Sequence, residues 1–525
     1  MKRKVVQEVE LKLTGSQGAL KAAWASPALK AGRISSWAPE RLISTYYDTE
    51  DRALKAAGLT LRVRDKGQGA FVQTVKSTAG PQTAALVRTE DEAAIDSPAP
   101  HLDAVREPTF RRIVKRALKQ GLKPLFTVYV DRKTIEVAGE GGARIEASLD
   151  VGEARNPDTG DIAPIGEIEL ELMEGRPAAL YALARILAAE GALRLSLASK
   201  AARGFRLADK TVPGHAKAAR LTLAPKCDAE AALAEILQNS TAHLFGNIDA
   251  VVIAGAPEGA HQMRVALRRL RAALVLFKKR IDPRIASGLV LQAKYYANAL
   301  GAARDLDVFA AETLAPLKDL MPDEACLRLI ASRAEAARQA AWSDARRALD
   351  TQAFTSFLLD LSAATDEAII AAKTTGARRS AKRFARKAIA RRWRKAFETG
   401  ADFVHLSPHD RHPLRIELKK LRYAAVFFAS LYPEETVKPY LKRLSRLQDD
   451  FGAMNDALVA ADIADRLAAP HFEDTAETRA GLARAAGLIT GWRKAVMDAA
   501  WADAQNRWAE LCAAPQFWEK AGRGD

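Results

Sequence analysis

The spacing of apolar residues changes near residue 220 of this 525-residue chain. Before that point, short segments alternate apolar and polar side chains, as strands do when one face of a sheet is buried. The segments that predict strands are residues 7–13, 59–64, 71–76, 86–92, 125–133 and 166–172. Helical spacing interrupts them at Thr109–Gln120 and Pro177–Glu190. Glycine and proline predict turns at Lys66–Gly69, Gly80–Pro81, Gly139–Gly142 and Pro157–Gly160.

After residue 220 the pattern is helical. Ala, Leu, Arg and Glu recur at helical spacing almost to the C-terminus, which predicts an all-α half. The two periods together predict a multidomain α+β protein. We expect a β-rich domain at residues 1–210, a linker at 211–225 and a helical domain at 226–515.

The helical half contains an internal repeat. HQMRVALRRLR begins at His261, and HPLRIELKKLR begins 151 positions later at His412. LGAARDLDV (300–308) and FGAMNDALV (451–459) keep the same offset, so that Gly301 aligns with Gly452 and Asp305 with Asp456. Two separate blocks in one register predict a duplicated helical unit.

Each copy carries a histidine and three cations on one helix face, because offsets of 0, +3, +7 and +10 fall on the same side of a helix. These residues are His261, Arg264, Arg268 and Arg271 in the first copy and His412, Arg415, Lys419 and Arg422 in the second. Apolar residues predicted to pack inward are Val265, Leu267, Leu270, Leu274 and Leu276, and then Ile416, Leu418, Leu421 and Val426.

Such a face is costly without a ligand, because like charges at this spacing repel by a few tenths of a kcal/mol per pair. A single charged run is ordinarily a solvated surface. Repetition at matched spacing favours a receptor for an anion instead. A metal site is a weaker alternative, because histidines bracketed by cations make a poor cation cage.

Composition indicates the same kind of partner. The chain has 80 Lys and Arg against 64 Asp and Glu, a formal charge of +16, which favours nucleic acid, a phosphate polymer or an acidic membrane surface. The segment 378–395 adds ten Lys or Arg without an acid and widens the positive surface. It lacks the interleaved aromatic residues that stack bases, which weakens the case for nucleic acid.

Three features predict a cytoplasmic protein. The three cysteines are far apart and form neither a disulfide framework nor a zinc cluster. The first residues lack the apolar run of a signal peptide. No apolar run approaches the roughly 20 residues that span a bilayer, so membrane insertion is not expected.

The helical half resembles the CHAD family over about residues 226–515, through the repeated H-x-x-R-x-x-x-[RK]-[RK]-L-R pattern and the later Gly and Asp positions. This resemblance implies a pair of helical bundles that binds inorganic polyphosphate in a basic groove. The His and cation residues of both repeats would line that groove. Association with polyphosphate granules is a further expectation.

The predicted strands of the first half carry both charges on one face. The residues are Glu8, Glu10 and Lys12, then Arg62 and Arg64, then Arg88, Glu90 and Glu92, and finally Glu167, Glu169 and Glu171. One solvated face is the ordinary explanation. If the strands close into a barrel, the charged faces line an interior channel. Carboxylates there suit Mg²⁺ or Mn²⁺, and Arg and Lys suit phosphate oxygens.

These strands resemble the CYTH family, the triphosphate tunnel fold, over about residues 4–210. EVELK (8–12) fits the E-x-E-x-K signature, followed by TYYDT (45–49), LRVR (61–64), VQTVK (72–76), EIELE (167–171) and SKAARGFRL (199–207). The resemblance implies an antiparallel β-barrel tunnel in which Glu8, Glu10 and Lys12 are catalytic. The implied metal ligands are Glu8, Glu10, Asp150, Glu167, Glu169 and Glu171. The implied phosphate ligands are Lys12, Arg62, Arg64, Lys76, Arg88, Arg132, Lys200 and Arg203.

Both resemblances imply condensed phosphate as the ligand. The leading hypothesis is a Mg²⁺- or Mn²⁺-dependent inorganic triphosphatase whose helical half binds polyphosphate. The main alternative is a polyphosphate-binding protein without catalysis. Thiamine triphosphate hydrolysis, cyclic AMP formation from ATP and nucleic-acid binding rank below these. The pattern does not address the oligomeric state.

Overall fold

The computed structural model describes residues 4–77, 83–374 and 380–519. It divides into two compact units. The first comprises Met1–His215 with Phe245–Ala254 and Asp350–Glu367, and the second comprises Ala216–Leu244, Gly255–Leu349 and Ala368–Asp525. The predicted turn at Gly80–Pro81 and the first two residues of the basic segment 378–395 lie outside the described residues.

Ten strands are described in the first unit. They are β1 (Lys4–Thr14), β2 (Arg33–Ser36), β3 (Glu40–Asp48), β4 (Leu59–Asp65), β5 (Phe71–Ser77), β6 (Leu86–Ile95), β7 (Lys123–Ala138), β8 (Arg144–Arg155), β9 (Ile162–Glu174) and β10 (Arg194–Ser196). The helices of residues 1–215 are α1 (Gln17–Trp24), α2 (Pro27–Ala31), α3 (Ala53–Ala56), α4 (Pro108–Gln120), α5 (Pro177–Gly191) and α6 (Lys200–Asp209). The six predicted strands and two predicted helices are present, whereas the apolar pattern did not predict β2, β3, β8 or β10.

Eight strands form a closed antiparallel barrel in the order β1-β6-β5-β4-β3-β7-β8-β9, and β9 pairs with β1. Of the remaining two strands, β2 pairs with β7 and β10 pairs with β1. The predicted antiparallel β-barrel is therefore confirmed. Closure leaves these eight strands without free edges and separates an inner face from an outer face.

The apolar core of this unit lies partly inside the barrel, where Leu42, Val128 and Val130 pack with Phe205 of α6, and partly outside its wall. On β1, Leu11 and Leu13 are fully buried, and the helices α1 and α5 pack against β1 and β9. On the opposite side, Leu61 and Val75 pack against Phe110 and Val114 of α4. On β1, β4 and β9, period-2 alternation therefore directs most of the charged residues into the barrel interior.

The helices after residue 215 are α7 (Ala229–Phe245), α8 (Ile248–Val252), α9 (Pro257–Leu276), α10 (Pro283–Ala299), α11 (Gly301–Phe309), α12 (Ala315–Leu320), α13 (Ala325–Leu349), α14 (Gln352–Thr374), α15 (Ala381–Thr399), α16 (Pro408–Phe427), α17 (Glu434–Ala468) and α18 (Ala476–Cys512). A π-helical turn over Ala310–Leu314 connects α11 to α12. Within the described residues, no helix is both long enough and apolar enough to cross a bilayer.

The helix boundaries preserve the repeat. Helix α9 begins at Pro257 and α16 begins 151 positions later at Pro408, and their last residues keep the same offset. Helices α13 and α18 also begin 151 positions apart. The segment that is broken into α10 and α11 in the first copy is one continuous helix, α17, in the second.

The predicted apolar sides of α9 and α16 need one correction. Leu267, Leu270 and Leu274 are fully buried, as are Leu418 and Leu421. Ile416 and Val426, however, are 39% and 37% exposed. Arg269 and Glu417 are buried instead. Each has a polar partner in the interior: Arg269 donates to Asn239 at 2.6 Å, and Glu417 accepts from Lys420 at 2.6 Å.

Candidate functional site

Strand register brings the charged residues of β1 and β9 together. Glu10 lies opposite Glu171 and Lys12 lies opposite Glu169 across the β1–β9 pair, and Glu8 lies opposite Arg88 across the β1–β6 pair. Directly opposite side chains on one face lie close enough to interact. The closing pair of strands therefore places carboxylates and cations side by side inside the barrel.

The barrel encloses a cavity of about 600 Å³. The predicted site residues that line it are Glu8, Glu10, Lys12, Arg62, Arg64, Lys76, Arg88, Arg132, Glu169, Glu171 and Lys200. Asp150 and Glu167 are fully buried and contact Lys200 from behind this lining, and Arg203 contacts Glu167. The structure therefore brings the whole predicted tunnel set together.

Lys12 is a buried cation between two carboxylates. Its Nζ donates to Glu10 Oε2 at 2.9 Å and also pairs with Glu169. Burial alone would raise the pKa of Glu10, but Lys12, Lys76 and Arg88 more than offset burial and lower that pKa to about 2. Glu10 therefore remains ionised at neutral pH.

The second acidic group comprises Asp150, Glu167 and Glu169, whose carboxylate oxygens lie within 4.8 Å of one another. Lys200 Nζ lies 2.6 Å from Asp150, 2.6 Å from Glu167 and 2.9 Å from Glu169. Arg132 donates to Asp150 through Nε at 2.7 Å and Nη2 at 2.6 Å. The structure thus holds three buried carboxylates by ion pairing within the protein.

Strands β4, β5 and β6 carry the other cations of the lining, which we call the basic wall, and Lys76 and Arg88 of this wall contact the carboxylates of β1 directly. Arg62 and Lys76 each lie 3.6 Å from Glu90, and Arg88 donates to Glu10 at 2.7 Å. Arg64 donates to Ser44 Oγ at 3.3 Å and forms no ion pair with the described residues. Burial, Arg62 and Arg132 lower the pKa of Arg64 to about 10. A guanidinium with like charges nearby and no ion pair with the described residues is poised to bind an anion.

Some cavity residues were not among the predicted site residues. Glu90 and Glu92 lie on the charged face of β6, and that alternation was visible in the sequence. Ser44 and Tyr46 line the cavity from β3. They were missed because β3 itself was not predicted. Glu146 lies opposite Glu171 across the β8–β9 pair, and β8 gave no alternating signal.

Helix α6 carries Lys200 and Arg203 against the barrel. Ser199 caps its N-terminus by accepting from Ala202 N, and Asp209 near its other end pairs with Arg52 at 2.8 Å and Lys55 at 2.6 Å. A Cβ at Gly204 would lie 2.0 Å from the Phe126 ring. The close approach of α6 to β7 therefore requires glycine at this position.

The tunnel residues fit a divalent cation, because they supply clustered carboxylate oxygens, the ligands that Mg²⁺ and Mn²⁺ prefer. At Asp150, Glu167 and Glu169, the ammonium group of Lys200 already lies between the carboxylates. Glu171, in contrast, has no ion pair with the described residues. Burial, Glu8 and Glu146 raise the pKa of Glu171 to about 8, and burial and Glu10 raise the pKa of Glu8 to about 6. These two carboxylates lack enough positive charge, which a metal ion would supply.

The second unit gathers cations from both copies of the repeat. Arg264 and Arg268 on α9 and Arg415 on α16 all act on Lys419: burial and these like charges lower the pKa of Lys419 to about 7. Arg268 donates to Tyr423 on α16 at 3.4 Å. The two predicted stripes therefore face each other. We call Arg264, Arg268, Arg415 and Lys419 the paired stripe.

The remaining stripe residues lie differently. Burial, Arg304 and Arg268 lower the pKa of His261, which is half-buried and would be neutral at neutral pH before an anion binds. His412 and Arg422 are exposed, and Arg422 donates to Gln448 at 3.1 Å. Arg271 is half-buried. These last three residues have no recorded interaction with the paired stripe.

The aligned aspartates flank the paired stripe. Asp305 lies 3.4 Å from Arg264, and Asp456 raises the pKa of Arg415 and of Lys419 against the effect of burial. Arg264, Gly301 and Asp305 also line a cavity of about 470 Å³. The Gly and Asp positions of the repeat therefore belong to the same region as its cations.

Comparison with known families matches both halves. A family model described as the CYTH domain matches residues 6–205, and one described as the CHAD domain matches residues 235–465. These matches follow the order predicted from the sequence motifs.

Solved structures resemble each half. The CHAD domain from the plant Ricinus communis is 30% identical, covers 58% of this chain and 99% of its own, and has a TM-score of 0.49. PptA from Streptomyces chartreusis is 18% identical, with 54% and 99% coverage and a TM-score of 0.42. HpAC1 from Hippeastrum, described as having a dominant triphosphatase activity, is 20% identical, with 37% and 93% coverage and a TM-score of 0.28.

Metal binding should depend on pH through Glu171. Its raised pKa of about 8 means that the carboxyl holds a proton below that pH and loses it above, and a metal must displace the proton. We expect the Kd for Mn²⁺ to fall by up to roughly tenfold per pH unit as pH rises toward 8, then to level off. Calorimetry in buffers of different ionisation enthalpy would measure the released proton. A Kd for Mn²⁺ that is constant across this range would contradict the assignment of Glu171 as a ligand.

Gly204→Ala should disturb the tunnel through α6. The added methyl group meets the Phe126 ring, so we expect a loss of about 1–3 kcal/mol in unfolding free energy. Weaker triphosphate binding should accompany it, as Lys200 and Arg203 withdraw. Gly18→Ala in α1 is the matched control, because a Cβ there meets nothing within 4 Å. Equal stability of the two variants in denaturant titrations would refute this packing argument.

Proposed function

We propose that this chain, which contains a CYTH domain followed by a CHAD domain, is a metal-dependent inorganic triphosphatase that also binds polyphosphate. The observation that carries the proposal is the closed barrel whose interior holds acidic and basic walls. Known CYTH proteins are triphosphatases or cyclases, which supports an enzyme that acts on phosphoanhydrides.

The basic wall would bind the substrate. Arg62, Arg64 and Arg88 offer guanidinium groups that suit phosphate oxygens, and Arg64 is free of ion pairs with the described residues. Lys12, between Glu10 and Glu169, would place a fixed positive charge beside the metal ligands. Because these groups are already held in place and largely removed from water, they would stabilise the charge that develops on a transferring phosphoryl group.

The acidic wall would hold the cation. When bound, Mg²⁺ or Mn²⁺ neutralises phosphate oxygens and lowers the pKa of a bound water. Glu8, Glu10, Glu169 and Glu171 surround the cavity from β1 and β9 and would be the ligands. Asp150 and Glu167 would form ion pairs with Lys200 and Arg132. These ion pairs would keep the acidic and basic walls in fixed positions relative to each other. Serine and cysteine nucleophiles are not required.

The paired stripe of the helical domain would bind inorganic polyphosphate. Four cations from two sister helices are partly buried, and burial together with their mutual repulsion is the reason that Lys419 holds its proton weakly. A phosphate chain would relieve this repulsion by supplying one negative charge per unit. The CHAD domain would then keep condensed phosphate bound on the same chain as the tunnel.

A polyphosphate-binding protein without catalysis is the second candidate. It is favoured by the ion pairs of Lys200 and Arg132, which neutralise Asp150, Glu167 and Glu169 without a metal. Cyclic AMP formation and thiamine triphosphate hydrolysis rank lower. Among the residues that the structure describes, the site shows no group arranged to recognise a base, and Tyr46 is stacked on Phe126 at 4.8 Å.

Glu171→Gln should abolish triphosphate hydrolysis. The substitution removes a metal ligand but leaves no cation without its carboxylate partner, because Glu171 has no ion pair with the described residues. We expect kcat to fall by roughly 100-fold or more, since a metal contributes several kcal/mol of transition-state stabilisation, while polyphosphate binding is unchanged. Phosphate release measures the first effect and a filter-binding assay the second. Glu174→Gln, on the exposed end of the same strand, is the control. Undiminished turnover by the Glu171 variant would favour the non-catalytic alternative.

Polyphosphate affinity should fall as pH rises through about 7, the lowered pKa of Lys419. Below that pH the ammonium is charged and available to the anion; above it, binding must recapture a proton. We expect roughly tenfold weaker binding at one to two pH units above 7. Lys419→Arg copies Arg268 of the sister helix and should remove most of this dependence, because guanidinium stays charged. The same pH profile in both proteins would show that Lys419 is not in the binding site.

A further inference from the structure

Helix α15 carries a face of exposed cations. Ala381, Ala385, Ile389 and Trp393 on this helix are buried. The exposed cations are Lys382, Arg383, Lys387, Arg391, Arg394 and Lys395. Arg383, Lys387 and Arg391 recur every four residues, which places successive charges about 6 Å apart along the helix. The outer surface of α15 is thus a nearly continuous row of positive charge.

These charges are not balanced within the described part of the chain. The ion pair recorded for this helix is that of Arg392 with Glu417, at 3.9 Å. The six exposed cations form no ion pair with any described carboxylate. Lys382 lies over the Tyr432 ring at 5.6 Å. Because like charges on one helix repel, such a face destabilises the free helix slightly.

The first repeat provides an internal comparison. Helix α7 begins 152 positions before α15 and leads into α9 as α15 leads into α16. Its sequence, AEAALAEILQNSTAHLF, contains no Lys or Arg and two Glu. The fold of the repeat therefore does not require cations at this position. The basic face belongs to the second copy alone and needs another explanation.

The surroundings of α15 restrict the partner. Its apolar face packs in the bundle and is not available to enter a membrane, as an interfacial helix would require. Its aromatic residues also face inward: Phe384 stacks on Phe277 at 4.8 Å, and Trp393 is 8% exposed. Phe397 is 48% exposed but stacks on Trp508. A row of charges without a free series of aromatic rings suits a linear polyanion that has no bases.

We propose that the exposed face of α15 is a second contact surface for polyphosphate, one that engages long chains and not triphosphate or other short chains. This inference rests on the proposed binding of polyphosphate by the paired stripe. Within the helical domain, a short anion occupies the paired stripe and does not reach the α15 face; its binding in the tunnel is the same in every variant compared below. A long chain that is already bound reaches the α15 face at high effective concentration, so the second contact adds affinity without a second encounter.

The test compares two variants with equal charge change. The first replaces Arg383, Lys387, Arg391 and Arg394 with Gln. The matched control replaces Lys279, Arg284, Lys294 and Lys318 with Gln, which are also exposed and form no ion pair with described residues. Circular dichroism melting would verify the fold of both. Affinity for long-chain polyphosphate and for tripolyphosphate is then measured across a range of salt concentrations in the full-length protein.

We expect the α15 variant to bind long chains at least roughly tenfold more weakly, with a salt slope lower by about 3, because each lost phosphate contact removes roughly 0.7. Its tripolyphosphate affinity should match that of the unmodified protein, and the control should change little for either ligand. Equal losses in the α15 variant and the control would overturn the inference, since net charge would then explain them. Equal losses for long and short chains would also overturn it.

Three other outcomes would each decide against the inference. If single-stranded RNA competes with long-chain polyphosphate at equal concentration, and the α15 variant loses RNA binding preferentially, the face is a nucleic-acid surface and the inference fails. If the unmodified protein binds neither long-chain polyphosphate nor tripolyphosphate, the proposed polyphosphate function fails together with this inference. If the unmodified protein binds both and the α15 variant is unaffected, this inference alone fails.

Discussion

Buried carboxylates in the tunnel depend on cations that reach them from neighbouring strands and from α6. Closing β9 against β1 places Glu10 beside Glu171 and Lys12 beside Glu169, an arrangement that would be costly without mutual compensation. Lys12 and Lys200 provide it, and the apolar residues of the same strands face outward into the helices. The charged interior and the apolar exterior are thus two consequences of one alternation.

The carboxylates along the tunnel differ in how much positive charge surrounds them, and this difference separates their candidate roles. Glu10 and Glu169 are held ionised by several cations, and Glu171 is left with a raised pKa. On the basic wall, Arg64 has like charges as neighbours and no described ion pair. A bound metal phosphate would supply what each place lacks: positive charge at Glu171 and negative charge at Arg64. The same complementarity explains why neither wall would be stable in this form without the other.

Sequence patterns revealed the strands that have one charged face and one apolar face, such as β1, β6 and β9. They failed for β8, where Asp150, Ala147 and Ile145 are all buried, so that no alternation of polarity remains. Pattern alone also left open whether the strands close, because the pairing of Glu10 with Glu171 joins residues that are far apart in the chain. The prediction that the strands close into a barrel came from the CYTH resemblance. The lowered pKa of Lys419 could not be predicted, since it depends on burial and on the charges that α9 brings close to α16 as well as on Arg415 of its own helix.

The two helical copies show what duplication retained and what it changed. Both keep three cations at matched positions of α9 and α16, with Arg268 of the first copy matched by Lys419 of the second, and both keep an aspartate nearby. They differ in two places: α10 and α11 correspond to the single helix α17, and α7, which has no Lys or Arg, corresponds to the strongly basic α15. The residues kept in both copies are those that act on one another across the two helices, as Arg268 does on Lys419 and Tyr423. The exposed cations of α15 are not part of that arrangement, so they would contact the proposed polymer separately from the paired stripe.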